Sequence, residues 1–200
     1  MPMQVLDDAD VPRAARAITS AALLNSGQVC MSTERVIVQR EAASGLVHEL
    51  TALFKQARAG DPTTEPSAVL GALFTEQAAE SVVGMMEDAV GDGATVVVGD
   101  LTRQGAVVQP HILTNVRPGT RLWERESFGP GTYLPRVRTE RSTMAETLRV
   151  LRAVIVVAVV DTIDEAVELA NSSEYSMSAA LWTRDVHLAL DVSARIRACE

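Results

Sequence analysis

Basic residues, aromatic rings and cysteine are all scarce in this chain, and each shortage removes a class of function. Eighteen Lys and Arg face 26 Asp and Glu, for a formal net charge of -8, and aromatic residues make up 4%. Such a chain lacks the positive footprint that neutralises phosphates, so no nucleic-acid partner is expected. The two cysteines, Cys30 and Cys199, lie far apart, which points to free thiols in a reducing compartment, the cytoplasm by default. His48, His111 and His187 are the only histidines, and none stands at ligand spacing, so no metal is expected. The longest apolar run, Val154 to Val160, is far short of the roughly 20 residues that span a bilayer. The opening MPMQVLDDADVP has acids where a secretory leader has a basic end. No GxSxG elbow, HExxH motif or P-loop occurs.

What remains is 200 residues, 47% hydrophobic, enough for one domain that buries roughly 70% of its unfolded surface without a staple. Helix and strand patterns alternate, which predicts an α/β fold: an open, mostly parallel twisted sheet flanked by helices. Asp10 caps a first helix with Val11, Ala14, Ala15, Ile18 and Ala22 on one stripe. A short buried strand is expected over 35–39, then an amphipathic helix over 41–58. Two prolines make 60–66 a loop. A helix from Thr75 ends at Gly91-Asp-Gly93 and feeds a strand over 94–98. That GDG follows a helix and precedes a strand, the reverse of a dinucleotide loop, so it reads as a helix end. Residues 105–123 read as a hairpin or loop. A strand over 154–160, a helix over 161–171 with Thr162 and Glu165 as a capping box, a strand over 178–182 and a helix from Asp185 complete the pattern.

One segment carries chemistry. Asn25-Ser-Gly-Gln-Val-Cys30 lies between the first helix and the strand 35–39. A cysteine at such a junction, beside Gly27, sits where backbone N–H groups and a helix end can stabilise a thiolate. A lone cysteine is more often a small buried hydrophobe, and both readings stay open on the residues alone.

Followed by Arg35-Val-Ile-Val38, this segment resembles the nucleophile segment of the aldehyde dehydrogenase superfamily. Three further stretches stand in the family's order. Val5-Leu-Asp-Asp-Ala-Asp10 resembles the acidic lead into the helix before the nucleophile. Glu126-Ser-Phe-Gly-Pro130 resembles the motif that contacts the nicotinamide riboside. Glu165-Ala-Val-Glu-Leu-Ala-Asn171, with Tyr175, Ala179-Ala180 and Thr183-Arg-Asp185, resembles the helix, strand and helix that follow. The resemblance implies that Cys30 attacks an aldehyde carbonyl, with its own N–H as half of an oxyanion hole, and that Glu126 and Phe128 position a nicotinamide ring. Thiolate addition gives a thiohemiacetal, and hydride loss gives a thioester for water to cleave.

Against a full-length family member the chain looks like the cysteine-bearing catalytic domain alone, shortened at both ends, without a Rossmann domain, a general-base glutamate or the asparagine of the oxyanion hole. Losing one oxyanion donor costs about 10²–10³ in rate and losing the base about 10²–10⁴. NAD-dependent oxidation by this chain alone is therefore not expected, and no cofactor is assigned to it. Residues 131–153 read as an arginine-rich insertion between Gly-Pro130 and the strand that resumes at Val154, either a translated intron or a selected addition. Ser176 replaces the family's glycine after Tyr175, which puts a positive-φ turn there in doubt.

The expected function is a repurposed enzyme acting without a dinucleotide on a carbonyl-containing small molecule, as a cyclase, an isomerase or a cysteine-dependent acyl transferase or hydrolase. Cys30 and Glu126 are the candidate catalytic pair. Asn25, Phe128, Tyr133, Arg136 and Arg138 are the candidate substrate contacts, with Arg141 a further anion anchor. A catalytically dead interaction module and a dehydrogenase completed by another chain are the alternatives. Interdomain faces bared by the shortening predict a homodimer or a covering partner chain. Bland readings are assigned to His111 (structural), His48 (a partly exposed helix face), Trp123 (packing), Met85 and Met86 (core) and Cys199 (a terminal thiol).

Overall fold

The computed structural model describes residues 1–124, 154–172 and 177–198. Six strands form one sheet in the order β3-β6-β7-β2-β1-β8. These are β1 (Pro2–Val5), β2 (Arg35–Gln39), β3 (Thr95–Val98), β6 (His111–Thr114), β7 (Val154–Val160) and β8 (Ala180–Trp182). All neighbours pair in parallel except β3 and β6. A separate two-stranded ribbon joins β4 (Arg103–Gln104) to β5 (Val107–Val108). The largely parallel sheet expected from the alternating pattern is the one found.

Helices cover both faces, which is why β7 can be an unbroken run of apolar residues. On one face α1 (Val11–Leu23) and α2 (Arg40–Gln56) bury Ile18, Leu46, Leu50 and Phe54 against Met3, Val5, Val36, Val38, Ile155 and Val157. On the other, α3 (Glu76–Gly91) and α4 (Arg121–Glu124) pack Val82, Met86, Leu122 and Trp123 on Leu113, Val154 and Val156. The same face takes α5 (Ile163–Asn171), whose Ala166 and Ala170 meet Ile37 and Val160. Successive residues of β7 thus alternate between two cores, as the period-two geometry of a strand requires.

Local chemistry sets the helix starts. The Asp10 carboxylate accepts from the Arg13 N–H at 3.1 Å, and Thr75 accepts from Ala78 at 3.1 Å. Thr162 and Glu165 form the reciprocal capping box. Asp185 caps α6 (Val186–Arg195) through the N–H groups of His187 and Leu188. Two readings are corrected. The region 105–123 holds β6 and α4 as well as part of a ribbon. Pro2–Val5, to which the sequence pattern assigns no element ahead of the acidic lead 5–10, form the strand β1. No helix of the described residues is long and apolar enough to cross a membrane, and no cluster of three metal-ligating side chains occurs among them.

Candidate active site

Cys30 lies five residues before β2, an inner strand of the sheet. The chain leaves α1 at Leu23 and runs through Leu24–Gly27, a tight turn whose last three residues all have positive φ: Asn25 at 50°, Ser26 at 57° and Gly27 at 76°. Glycine takes this left-handed region freely and asparagine tolerates it. Serine does not favour it, and such a conformation costs roughly 1–2 kcal/mol for an L-residue. Strain of this kind persists only where surrounding contacts hold it.

Here the contacts are specific. The buried Ser26 hydroxyl donates to the Gly71 carbonyl at 2.9 Å. The Gln28 side-chain amide donates to Asn25 O at 3.0 Å and reaches Ala72 O at 3.5 Å. The Asn25 amide returns a hydrogen bond to Gln28 O at 3.3 Å. Two residues on, Cys30 is a free thiol, half-buried, and the chain turns into β2 with the Ser32 N–H on Val29 O at 2.9 Å. Among the described residues the Cys30 N–H donates to no main-chain carbonyl. Leu24 and Met31 on this loop, and Val69 and Phe74 around the segment that anchors it, are exposed.

Contacts of Trp123 and of β7 reach the start of β2. Trp123, three residues before Glu126, lies 5.7 Å from the guanidinium carbon of Arg35, the first residue of β2. Its indole N–H donates to the Ser172 hydroxyl at 3.2 Å. Strand β7 starts at Val154, and the Val156 N–H donates to Glu34 O at 2.8 Å. Glu126, Phe128, Tyr133, Arg136, Arg138 and Arg141, the sequence-derived partners of Cys30, lie outside the described residues, as do Tyr175, Ser176 and Cys199. Asn25 is described, and it serves the loop through the turn it closes with Gln28.

The second acidic motif has a structural role. Asp8 accepts from the Thr183 hydroxyl at 2.8 Å and from the N–H groups of Arg184 and Asp185 at 2.8 and 3.1 Å. Partial burial works against its charge, yet these hydrogen bonds hold its carboxyl below the usual range. Two sequence motifs far apart in the chain therefore meet, tying the start of α1 to the start of α6.

The profile of the aldehyde dehydrogenase family matches residues 1–147 and 152–200. The chain belongs to that family. A vanillin dehydrogenase from Pseudomonas fluorescens is 36% identical over 195 residues, covering 98% of this chain and 35% of that protein. The crystal structure of a salicylaldehyde dehydrogenase from Pseudomonas putida G7 with salicylaldehyde superposes with a TM-score of 0.83 at 29% identity, over 99% of this chain and 36% of that one. An NADP-dependent glyceraldehyde-3-phosphate dehydrogenase from Bacillus halodurans C-125, solved with NADP, gives 0.83 at 29% identity, over 100% and 36%. The chain spans about a third of the length of the curated relatives it matches.

These findings overturn the expected function. A dinucleotide-free cyclase, isomerase or acyl transferase, with a dead module or a partner-completed enzyme as alternatives, was inferred from what the chain does not span. The similarity runs along almost its whole length to aldehyde dehydrogenases, an NADP-dependent one among them, so a cofactor-independent chemistry is withdrawn. The same evidence corrects the view that NAD(P)-linked oxidation is foreign to this aldehyde dehydrogenase sequence. As for the dinucleotide itself, the described helix starts at α1, α3, α5 and α6 are each closed by their own cap residue. None of these offers the open N–H cradle a pyrophosphate takes.

Proposed function

We propose that this chain carries the nucleophile of an NAD(P)-dependent oxidation of an aromatic aldehyde. The observation that carries the reading is the Asn25–Cys30 loop, with its half-buried free thiol, inside a sequence 36% identical to a vanillin dehydrogenase over 98% of the chain. Aromatic substrates are supported by that relative and by the salicylaldehyde-bound neighbour.

On this reading the Cys30 thiolate adds to the carbonyl carbon, and the oxygen takes the electron pair as an oxyanion that the Cys30 N–H stabilises. Accepting the hydride is the chemistry that a nicotinamide group supplies when bound. Glu126 and Phe128 are proposed to face that group and the departing product, on the strength of the Glu126–Pro130 motif. Arg136, Arg138 and Tyr133 belong to the run 131–153, which we keep as a proposed insertion within a single catalytic-type domain. The family profile matches residues 1–147 and 152–200. Val186 and Leu190, exposed on α6, support a surface covered by a second copy or a partner.

The test is NAD(P)H formation with salicylaldehyde or vanillin. Cys30→Ala is expected to lower the rate by at least 10³-fold with the fold intact by circular dichroism. A variant that keeps a tenth or more of the rate would overturn the reading.

A further inference from the structure

We propose that Ser26 is a positioning residue for Cys30: its hydroxyl, anchored on Gly71, locks the left-handed turn that presents the thiol. The inference rests on the nucleophile role given above to Cys30. Its own support is geometric. Ser26 has φ 57° and ψ 33°, a conformation serine does not choose unaided. It is 4% exposed, so its hydroxyl has no water to satisfy it, and its partner is a main-chain carbonyl 45 residues away at 2.9 Å. Among the described residues, the side-chain bonds from the turn to the 71–72 segment are this one and the longer 3.5 Å reach of Gln28 to Ala72.

The hydroxyl therefore does two things at once. It fixes Ser26 in the strained well, and it joins the nucleophile loop to the segment that leads into α3. Without it the backbone at Ser26 falls back toward a right-handed or extended conformation. The chain only four residues on, at Cys30, must follow, because Asn25 and Gln28 close the same turn through their reciprocal hydrogen bonds. Removing the strain should remove the need for the anchor. Glycine occupies the left-handed region without penalty, so Ser26→Gly keeps the turn while Ser26→Ala loses it.

The experiment is second-order alkylation of Cys30 by iodoacetamide across pH 6–9.5. It is followed by peptide mass spectrometry in the full chain, at least 15 °C below each variant's midpoint of thermal unfolding. The wild-type thiol is expected to react at least tenfold faster than glutathione at pH 7.5. Ser26→Ala is expected to slow it three- to tenfold, and Ser26→Gly to stay within twofold of wild type. A merely structural hydroxyl would lower the unfolding temperature of Ser26→Ala and leave its alkylation profile on the wild-type curve, and that result overturns the proposal. Equal slowing in the alanine and glycine variants overturns it too, since the anchor would then act other than through the turn. A wild-type thiol no faster than glutathione removes the nucleophile reading and this inference with it, an outcome distinct from the first two.

Discussion

The imidazole of His111 is fully buried and both its nitrogens are committed. Nδ1–H donates to Gln109 O at 2.6 Å, and Nε2 accepts from the Leu101 N–H at 3.0 Å. This arrangement needs the neutral ring, because a proton on Nε2 would set one N–H against another. Burial pushes its pKa below the ordinary value of 6.5, outweighing the Gln109 carbonyl and Asp100, which pull the other way. Gly99 makes the fit possible: it sits at φ +104°, and a Cβ there would overlap the ring. Since the unfolded chain binds the proton more readily, His111 contributes its full stability above about pH 6.5 and loses it as the pH falls through the depressed folded value. Urea midpoints are therefore expected to be flat from pH 8 to 7 and to fall between 6.5 and 5, and His111→Gln should flatten that lower leg. An unchanged slope in the variant would assign the pH dependence elsewhere. His111 was read as structural from the sequence, and it is; its hydrogen bond from Leu101, ten residues back, could not be read there.

Among the elements, those whose ends are made by their own residues were legible. The α5 box rests on Thr162 and Glu165, three apart, and the caps at Asp10, Thr75 and Asp185 are equally local. Thr162→Ala should cost about 1 kcal/mol of stability, as a lost cap commonly does, measured by equilibrium denaturation; no loss would mean that burial of Ala166 and Ala170 alone holds α5. The elements that escaped are short and have no local signature. β1 is four residues, buried on both sides, with Gln4 in its middle. It exists because β2 and β8 flank it. α4 hides in a stretch rich in Gly and Pro, and tertiary contacts with α3 define it. The site divides along the same line. Cys30 was visible because its neighbours in sequence form a motif. The Ser26–Gly71 bond was not, because a backbone carbonyl 45 residues distant has no residue type to betray it.

For the molecule as a whole, the parallel sheet brings the starts of distant strands to one side: β2 and β7 pair in parallel, so the Cys30 loop leads into β2 on the side where β7 begins. The order of the motifs carried the fold and the family. Reading lost chemistry from the extent of the chain led the function astray, and similarity along 98% of its length to a vanillin dehydrogenase corrected it. The account stands on a covalent intermediate at Cys30. Its most direct measurement is acid quenching of the protein turning over salicylaldehyde with NAD(P)⁺, followed by mass spectrometry of the tryptic peptide 17–35. The account predicts the acyl mass of the oxidised aldehyde on Cys30, and its absence in Cys30→Ser. NAD(P)H formation that persists in Cys30→Ser, or turnover by the wild type with no acyl group on that peptide, would contradict it.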